Sequence, residues 1–131
     1  MDKHEIAERV LSELDEAGEE NAASLANTSL DQTGLADERA IYELAINDLL
    51  SAAFIDLATK SKQQNHWTII PPVKTLPPSL SLTSLLTYDP RRQCWTWATE
   101  TKILLVLTDT GRRKSEQLLT ERGHRWWRKA M

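Results

Sequence analysis

The spacing of apolar residues changes abruptly at Phe54, and this change does most to limit the folds open to the chain. Before Phe54, apolar side chains recur every three or four residues, as they do on one face of an α-helix. After Phe54, short alternating or continuous apolar stretches predominate, as they do in β-strands. The chain is therefore predicted to be α+β, with helices first and strands mainly afterwards.

Three helices are predicted before the change. The first covers residues 4–17 and ends at Gly18, with a stripe of Ile6, Val10, Leu11 and Leu14. A short second helix follows an Asn21 cap, and an Asp37 cap begins a third helix that runs to about Ala53. The buried face of the third helix is expected to contain Ile41, Leu44, Ala45, Leu49 and Ala52, widened by Tyr42, Ile46 and Leu50.

The second half of the chain is predicted to form two hairpins and a last helix. Residues 54–59 pair with residues 66–70, and residues 93–98 pair with a buried central strand at 102–108. Prolines make residues 71–79 a stiff connector, and residues 79–87 fit either a short helix or a strand. Thr108 or Asp109 caps a helix from about Gly111 to Lys129. We expect one domain over residues 1–131, with parts at 1–70, 71–79 and 80–131.

Two local patterns support a family resemblance. Leu49–Ile55 has an apolar pair, a small residue and an apolar entry into a strand, and Leu107–Arg112 has the form Leu-Thr-x-x-Gly-Arg. With the order of the helices, these patterns resemble the winged helix-turn-helix of MarR-like and PadR-like transcription regulators, over residues 4–70 and 103–120. The resemblance implies binding to double-stranded DNA as a homodimer. An ordinary wing is one hairpin, so either the second hairpin is the wing or an added subdomain extends the sheet.

Charge is divided unequally between the two halves of the chain. Residues 1–59 hold 14 acidic and 3 basic side chains (net −11), whereas residues 60–131 hold 13 basic and 5 acidic (net +8). The third helix begins with three carboxylates, which would repel phosphate, so only Arg39 and Tyr42 could contact DNA there. The nucleic-acid contacts expected over the whole chain are Arg39, Tyr42, Lys60, Lys62, Arg91, Arg92, Arg112, Arg113 and Lys114.

The sequence leaves the partner open. The basic half suits DNA, an acidic protein partner or the chain's own acidic half, so a winged-helix protein-interaction module is the alternative to a DNA-binding regulator. Adjacent tryptophans on a helix diverge by about 100°, which suggests that one of them meets a partner or a second subunit. The predicted dimer interface is Leu118, Leu119, Trp126 and Trp127.

Nothing in the sequence predicts catalysis. Cys94 is the only cysteine, the three histidines share no helical pair spacing, and the four glycines form no phosphate-binding loop. We therefore expect no enzyme activity, cofactor or metal. The longest apolar run, Ile103–Leu107, is too short to span a bilayer, and the charged first residues do not resemble a signal peptide. A cytoplasmic protein that does not bind membranes is expected.

Overall fold

Capped helices form the first part of the chain in the computed structural model, which describes residues 2–31, 36–61, 63, 65–123 and 126–128. Helix α1 (Lys3–Ala17) begins where the Asp2 carboxylate accepts a hydrogen bond from the backbone amide of Glu5 at 2.9 Å. This hydrogen bond lowers the pKa of Asp2, because it favours the ionised carboxylate. The helix ends at Gly18, whose φ of 74° suits glycine. Both ends lie close to where the sequence places them.

A short strand, β1 (Glu19–Asn21), separates α1 from the next helix, and the sequence analysis did not predict it. Helix α2 (Ala22–Ser29) follows, and its cap is confirmed: the Asn21 side-chain oxygen accepts from the Ser24 amide at 2.9 Å. Helix α3 (Ala36–Ser51) begins one residue before Asp37, which therefore lies in its first turn.

The buried face of α3 differs from the predicted one. Tyr42, Ala45, Ile46, Leu49 and Leu50 are buried, whereas Leu44 is 51% exposed and Ala52 is also exposed. Because α3 is apolar on two sides, its sequence alone does not determine which side meets the core.

A four-stranded antiparallel sheet covers one side of the helices, and β1 is one of its two edge strands. Strands β2 (Ile55–Lys60) and β3 (Thr68–Ile69) form the first predicted hairpin, with Ala58 opposite Ile69. Strand β6 (Lys102–Leu107) lies between β1 and β2, so the predicted central strand is confirmed.

The second predicted hairpin is wrong. Strand β5 (Cys94–Trp97) pairs with β4 (Leu86–Asp89) in a separate two-stranded sheet, and not with β6. Pairing with β2 places Ile103, Leu105 and Leu107 of β6 beside Ile55 and Leu57 on the core face, where all five are buried. Burial of this apolar surface outweighs the short loop that favoured a local hairpin.

The insert, which we define as residues 71–101, joins β3 to β6. It contains a 3₁₀ turn (Pro78–Leu80), the one-turn helix α4 (Leu82–Leu85) and the β4–β5 hairpin. The sequence allowed either a helix or a strand for residues 79–87, and the structure contains both, with α4 followed by β4.

Helix α5 (Asp109–Arg122) follows β6 directly. Thr108 caps it, as predicted, by accepting from the Gly111 amide at 3.0 Å. The predicted helix is too long, because α5 ends at Gly123 with φ 84° and a separate 3₁₀ turn covers Trp126–Arg128. Within the described residues, every helix is too short or too polar to cross a membrane.

Candidate functional site

A polar stripe on α3 holds the insert. It consists of Arg39, Glu43, Asn47 and Ser51, which lie four residues apart along one flank of the helix. Arg39 Nη1 donates to the Leu86 carbonyl at 2.7 Å, and Glu43 Oε1 accepts from the Leu82 amide at 2.8 Å. Further along the helix, Asn47 Oδ1 accepts from the Leu76 amide at 2.7 Å and Ser51 Oγ donates to the Lys74 carbonyl at 2.7 Å.

From the beginning to the end of α3, the side chains of the stripe contact successively earlier residues of the insert. The insert therefore lies antiparallel along the helix. This role of Glu43, Asn47 and Ser51 was not predicted. Polar residues at every fourth position of α3 are the signal that could have revealed it.

The flank of α3 that the insert leaves uncovered has no basic side chain. It carries Asp37, Ala40, Leu44 and Asp48, and Asp48 already pairs with Lys3 at 3.2 Å. A helix that enters the major groove must bring Lys or Arg to phosphate and polar groups to base edges. Neither flank of α3 offers such a surface in this structure.

The two α3 residues predicted to contact DNA are both engaged inside the chain. Tyr42 is fully buried, and its hydroxyl donates to the Ala22 carbonyl at 2.8 Å, so the prediction that it contacts DNA is wrong. Burial also raises the pKa of Tyr42 well above its ordinary value. Arg39 is half-buried and bound to Leu86, so its guanidinium is not free for phosphate.

The β4–β5 hairpin is fastened to α2 through Asn27. The Asn27 side chain donates to the Trp95 carbonyl at 3.0 Å and accepts from the Trp95 amide at 2.6 Å, as a neighbouring strand would. The Trp95 ring is buried, its Nε1 donates to Glu38 at 3.2 Å, and it meets Tyr88 edge-on. Trp95 therefore belongs to the core.

The predicted basic contacts do not form one surface. Arg112, Arg113 and Lys114 share the first turns of α5, with both arginines exposed and no ion pair to any residue within the described part of the chain. Lys60 lies at the other end of the sheet, opposite Lys102 of β6. The length of β6 separates the two ends of the sheet by about 17 Å. Lys62 lies outside the described residues.

Two further predicted contacts lie in the insert. Arg91 and Arg92 are exposed in the turn between β4 and β5, and Arg92 is 3.8 Å from Asp89. Their backbone amides donate to the Asp89 carboxylate, which shapes the turn.

Part of the basic half neutralises the acidic half. Arg122 of α5 pairs with Glu8 at 3.0 Å and with Glu5 at 3.5 Å, both on α1. Arg9 of α1 pairs with Glu5 at 3.3 Å and with Asp31 at 3.1 Å. The expected attraction between the halves therefore involves Arg122, whereas Arg112 and Arg113 remain outside it.

The four residues of the predicted dimer interface pack largely against their own chain. Leu118 is buried in the core and Leu119 is half-buried. Trp126 Nε1 donates to Glu5 at 3.1 Å and Trp127 Nε1 donates to the Thr28 carbonyl at 3.2 Å, with the rings edge-to-face at 4.8 Å. Adjacent side chains in this 3₁₀ turn still diverge, by about 120°, but both indole groups find partners within their own chain, so the divergence does not require a second subunit.

A groove of about 380 Å³ lies between α1, the end of α3 and α5. Its floor is apolar, and Glu8 and Asp48 at its rim already pair with Arg122 and Lys3. No group of three or more His, Cys, Asp or Glu side chains in the described residues could hold a metal ion.

Compared with protein families, with curated proteins and with solved structures, the chain has no significant match, so its own residues must support any functional assignment.

Proposed function

We propose that this chain is a winged-helix module that binds an acidic protein segment through the first turns of α5. The order α1–β1–α2–α3–β2–β6, with β6 between β1 and β2, is consistent with a winged helix-turn-helix. Residues 61–101 then interrupt the wing between its two strands. Of the two arrangements that the sequence left open, an added subdomain fits better than a second hairpin acting as the wing.

The observation that supports a protein partner over DNA is the polar stripe of α3. Its four side chains are used to hold the insert, and the uncovered flank carries Asp37 and Asp48. Insertion of α3 into a major groove would require the insert to leave and two carboxylates to approach phosphate. Both requirements oppose the usual way in which a winged helix reads DNA.

The first turns of α5 supply the proposed binding surface. Arg112 and Arg113 are exposed, Lys114 is partly exposed, and none has an ion pair within the described residues. Arginine binds carboxylates through two parallel hydrogen bonds, which favours an Asp- or Glu-rich segment.

DNA remains the second candidate, because the same exposed arginines could contact phosphate. In that case α5 would contact the phosphate backbone without base readout. Binding of this kind weakens steeply as salt is raised, with a slope set by the number of phosphates contacted.

Fluorescence anisotropy with two labelled probes distinguishes the candidates: an Asp/Glu-rich peptide and a random DNA duplex, each titrated at low and physiological salt. We expect the peptide to bind at physiological salt and the triple variant R112A/R113A/K114A to weaken it at least about tenfold. The variant R91A/R92A, which also removes exposed arginines, is the matched control and should bind normally.

Duplex binding at physiological salt, lost in the α5 variant while the peptide fails to bind, would favour the DNA candidate. If neither probe binds at low salt, both candidates are wrong.

A further inference from the structure

The four-stranded sheet has two faces, and the helices pack against only one of them. Side chains alternate along a strand, so Ile55, Leu57 and Thr59 of β2 point to the core face while Asp56, Ala58 and Lys60 point away from it. The register extends this outer face to the other strands. Its members are Glu19 and Asn21 of β1, Asp56, Ala58 and Lys60 of β2, Trp67 and Ile69 beside it, and Lys102, Leu104 and Val106 of β6.

The middle of the outer face is apolar. Ile69 is 78% exposed, the largest exposure of any large apolar side chain in the described residues. Leu104 and Val106 are partly exposed, and Ala58 is buried between the neighbouring strands without belonging to the core cluster. The Lys60 ammonium lies 5.8 Å from the centre of the Trp67 ring, as expected for two side chains on one face.

Charge of opposite sign lies at the two ends of this apolar strip. Asp56 and Glu19 flank Val106 at one end, whereas Lys60 and Lys102 lie opposite each other at the other end. None of these four side chains has an ion pair within the residues that the structure describes. Along the strand direction, the outer face is therefore acidic at one end, apolar in the middle and basic at the other end.

We propose that the outer face of the sheet binds the same face of a second copy of the chain. In this dimer the two-fold axis lies in the plane between the two sheets and is perpendicular to the strands. The strands of one copy therefore run opposite to those of the other. This operation sets Asp56 of each copy against the partner's Lys60, so the pair forms twice. The apolar middle of each sheet meets that of the other, and Ile69 is withdrawn from water.

Other orientations satisfy the charges less well. An axis parallel to the strands would place the acidic ends together and the basic ends together, and like charges oppose association. The pattern of charge therefore selects one antiparallel arrangement of the two copies. This dimer surface is distinct from Leu118, Leu119, Trp126 and Trp127, and the inference does not depend on what α5 binds.

The size of the face sets the expected affinity. Six residues along β2 and three gaps between strands give a face of about 20 by 15 Å. This is less than the about 800 Å² per partner of a standard interface, so we expect a weak dimer that forms only at high protein concentration.

Sedimentation equilibrium between about 10 and about 500 µM protein tests the proposal. We expect a concentration-dependent dimer, and we expect Ile69→Glu to remain monomeric. Leu44→Glu is the matched control, because Leu44 is the other large exposed apolar side chain and lies on α3. Circular dichroism and thermal unfolding establish that each variant is folded. A monomer at the highest concentration, or a dimer that Ile69→Glu leaves intact, overturns the proposal.

Charge exchange tests the antiparallel arrangement. Lys60→Glu sets two carboxylates against each other at both contacts, and Asp56→Lys does the same with two ammonium groups. We expect each single variant to weaken the dimer about tenfold. A mixture of the two should form a heterodimer, because every contact then joins opposite charges. Single variants that dimerise as tightly as wild type, or a mixture that does not associate, would contradict the proposed geometry.

Discussion

At the scale of single residues, Gly111 determines how closely α5 approaches the segment that enters β2. A Cβ atom at this position would lie 2.0 Å from the Phe54 carbonyl oxygen and 2.9 Å from Leu107 Cδ1. The backbone oxygen cannot move far, because it also accepts a hydrogen bond from the Thr108 amide at 3.0 Å. Glycine is required here for space rather than for an unusual backbone angle.

We therefore expect Gly111→Ala to lower the free energy of unfolding by about 3 kcal/mol, because it overpacks a rigid contact. Urea denaturation followed by circular dichroism measures the change. Thr110→Ala, at the exposed neighbouring position of the same turn, is the control and should stay within about 0.5 kcal/mol of wild type. An unchanged midpoint for Gly111→Ala would mean that α5 packs less closely than described.

The buried hydroxyl of Tyr42 is the basis of a second prediction at this scale. Tyr42→Phe keeps the buried ring but leaves the Ala22 carbonyl without its hydrogen-bond donor. We expect a loss of about 1–2 kcal/mol in the free energy of unfolding, measured in the same way. The variant should not change duplex binding, since the hydroxyl is inaccessible. Reduced DNA affinity in a fully folded variant would restore Tyr42 as a contact residue.

Residue-scale features were predictable where they depended on near neighbours in sequence. The Asn21 and Thr108 caps follow from local patterns that the structure confirms. Leu44 was misplaced because its exposure depends on which side of α3 the sheet and insert occupy. For the same reason, Tyr42 was assigned to DNA although it was also expected to widen the buried face, where the structure places it.

At the scale of secondary-structure elements, α3 is held on its outer flank by hydrogen bonds to the backbone of the insert. This type of contact depends on backbone groups, so it carries almost no sequence signal in residues 74–86. It also explains how a segment with little regular structure keeps a fixed position along α3.

Asn47→Ala should release part of the insert. Leu76 donates its amide to Asn47, so we expect hydrogen exchange at Leu76 to accelerate at least about tenfold while exchange in the core strands is unchanged. Leu44→Ala, on the uncovered flank of α3, is the control. Equal exchange in the two variants would show that the polar stripe does not fix the insert.

Most elements, but not all of their partners, were predictable. Amphipathic spacing located α1, α2 and α3, and the apolar run located β6. The predicted pairing of β5 with β6 was wrong because local order favoured it, whereas burial favours β2, about 50 residues away, as the partner of β6. The strand β1 has only three residues and no apolar side chain, so no pattern could reveal it.

At the scale of the whole molecule, opposite charges in the two halves meet where α5 crosses α1. Arg122→Gln removes the ion pairs to Glu5 and Glu8, all three of which are partly exposed. We therefore expect a loss of only about 0.5–1 kcal/mol in the free energy of unfolding.

Salt provides the control for this prediction. The difference between wild type and Arg122→Gln should shrink as ionic strength rises from about 0.05 M to about 0.5 M, because the ion pairs are screened. A difference that does not depend on salt would indicate that Arg122 acts by packing on the Trp126 ring, 5.2 Å away, instead of by charge.

The position of β6 also affects how the protein is made. Strands β1 and β2 are synthesised well before β6, but they do not pair with each other, because β6 lies between them. About 40 residues separate the end of β2 from the start of β6, so a ribosome adding 5–20 residues per second needs about 2–8 s to supply it. During that interval the nascent chain displays an incomplete sheet with open edges, which attract other chains. The sheet can be completed only after Lys102–Leu107 has been translated, and the yield of the protein should depend on how well the earlier strands are shielded during synthesis.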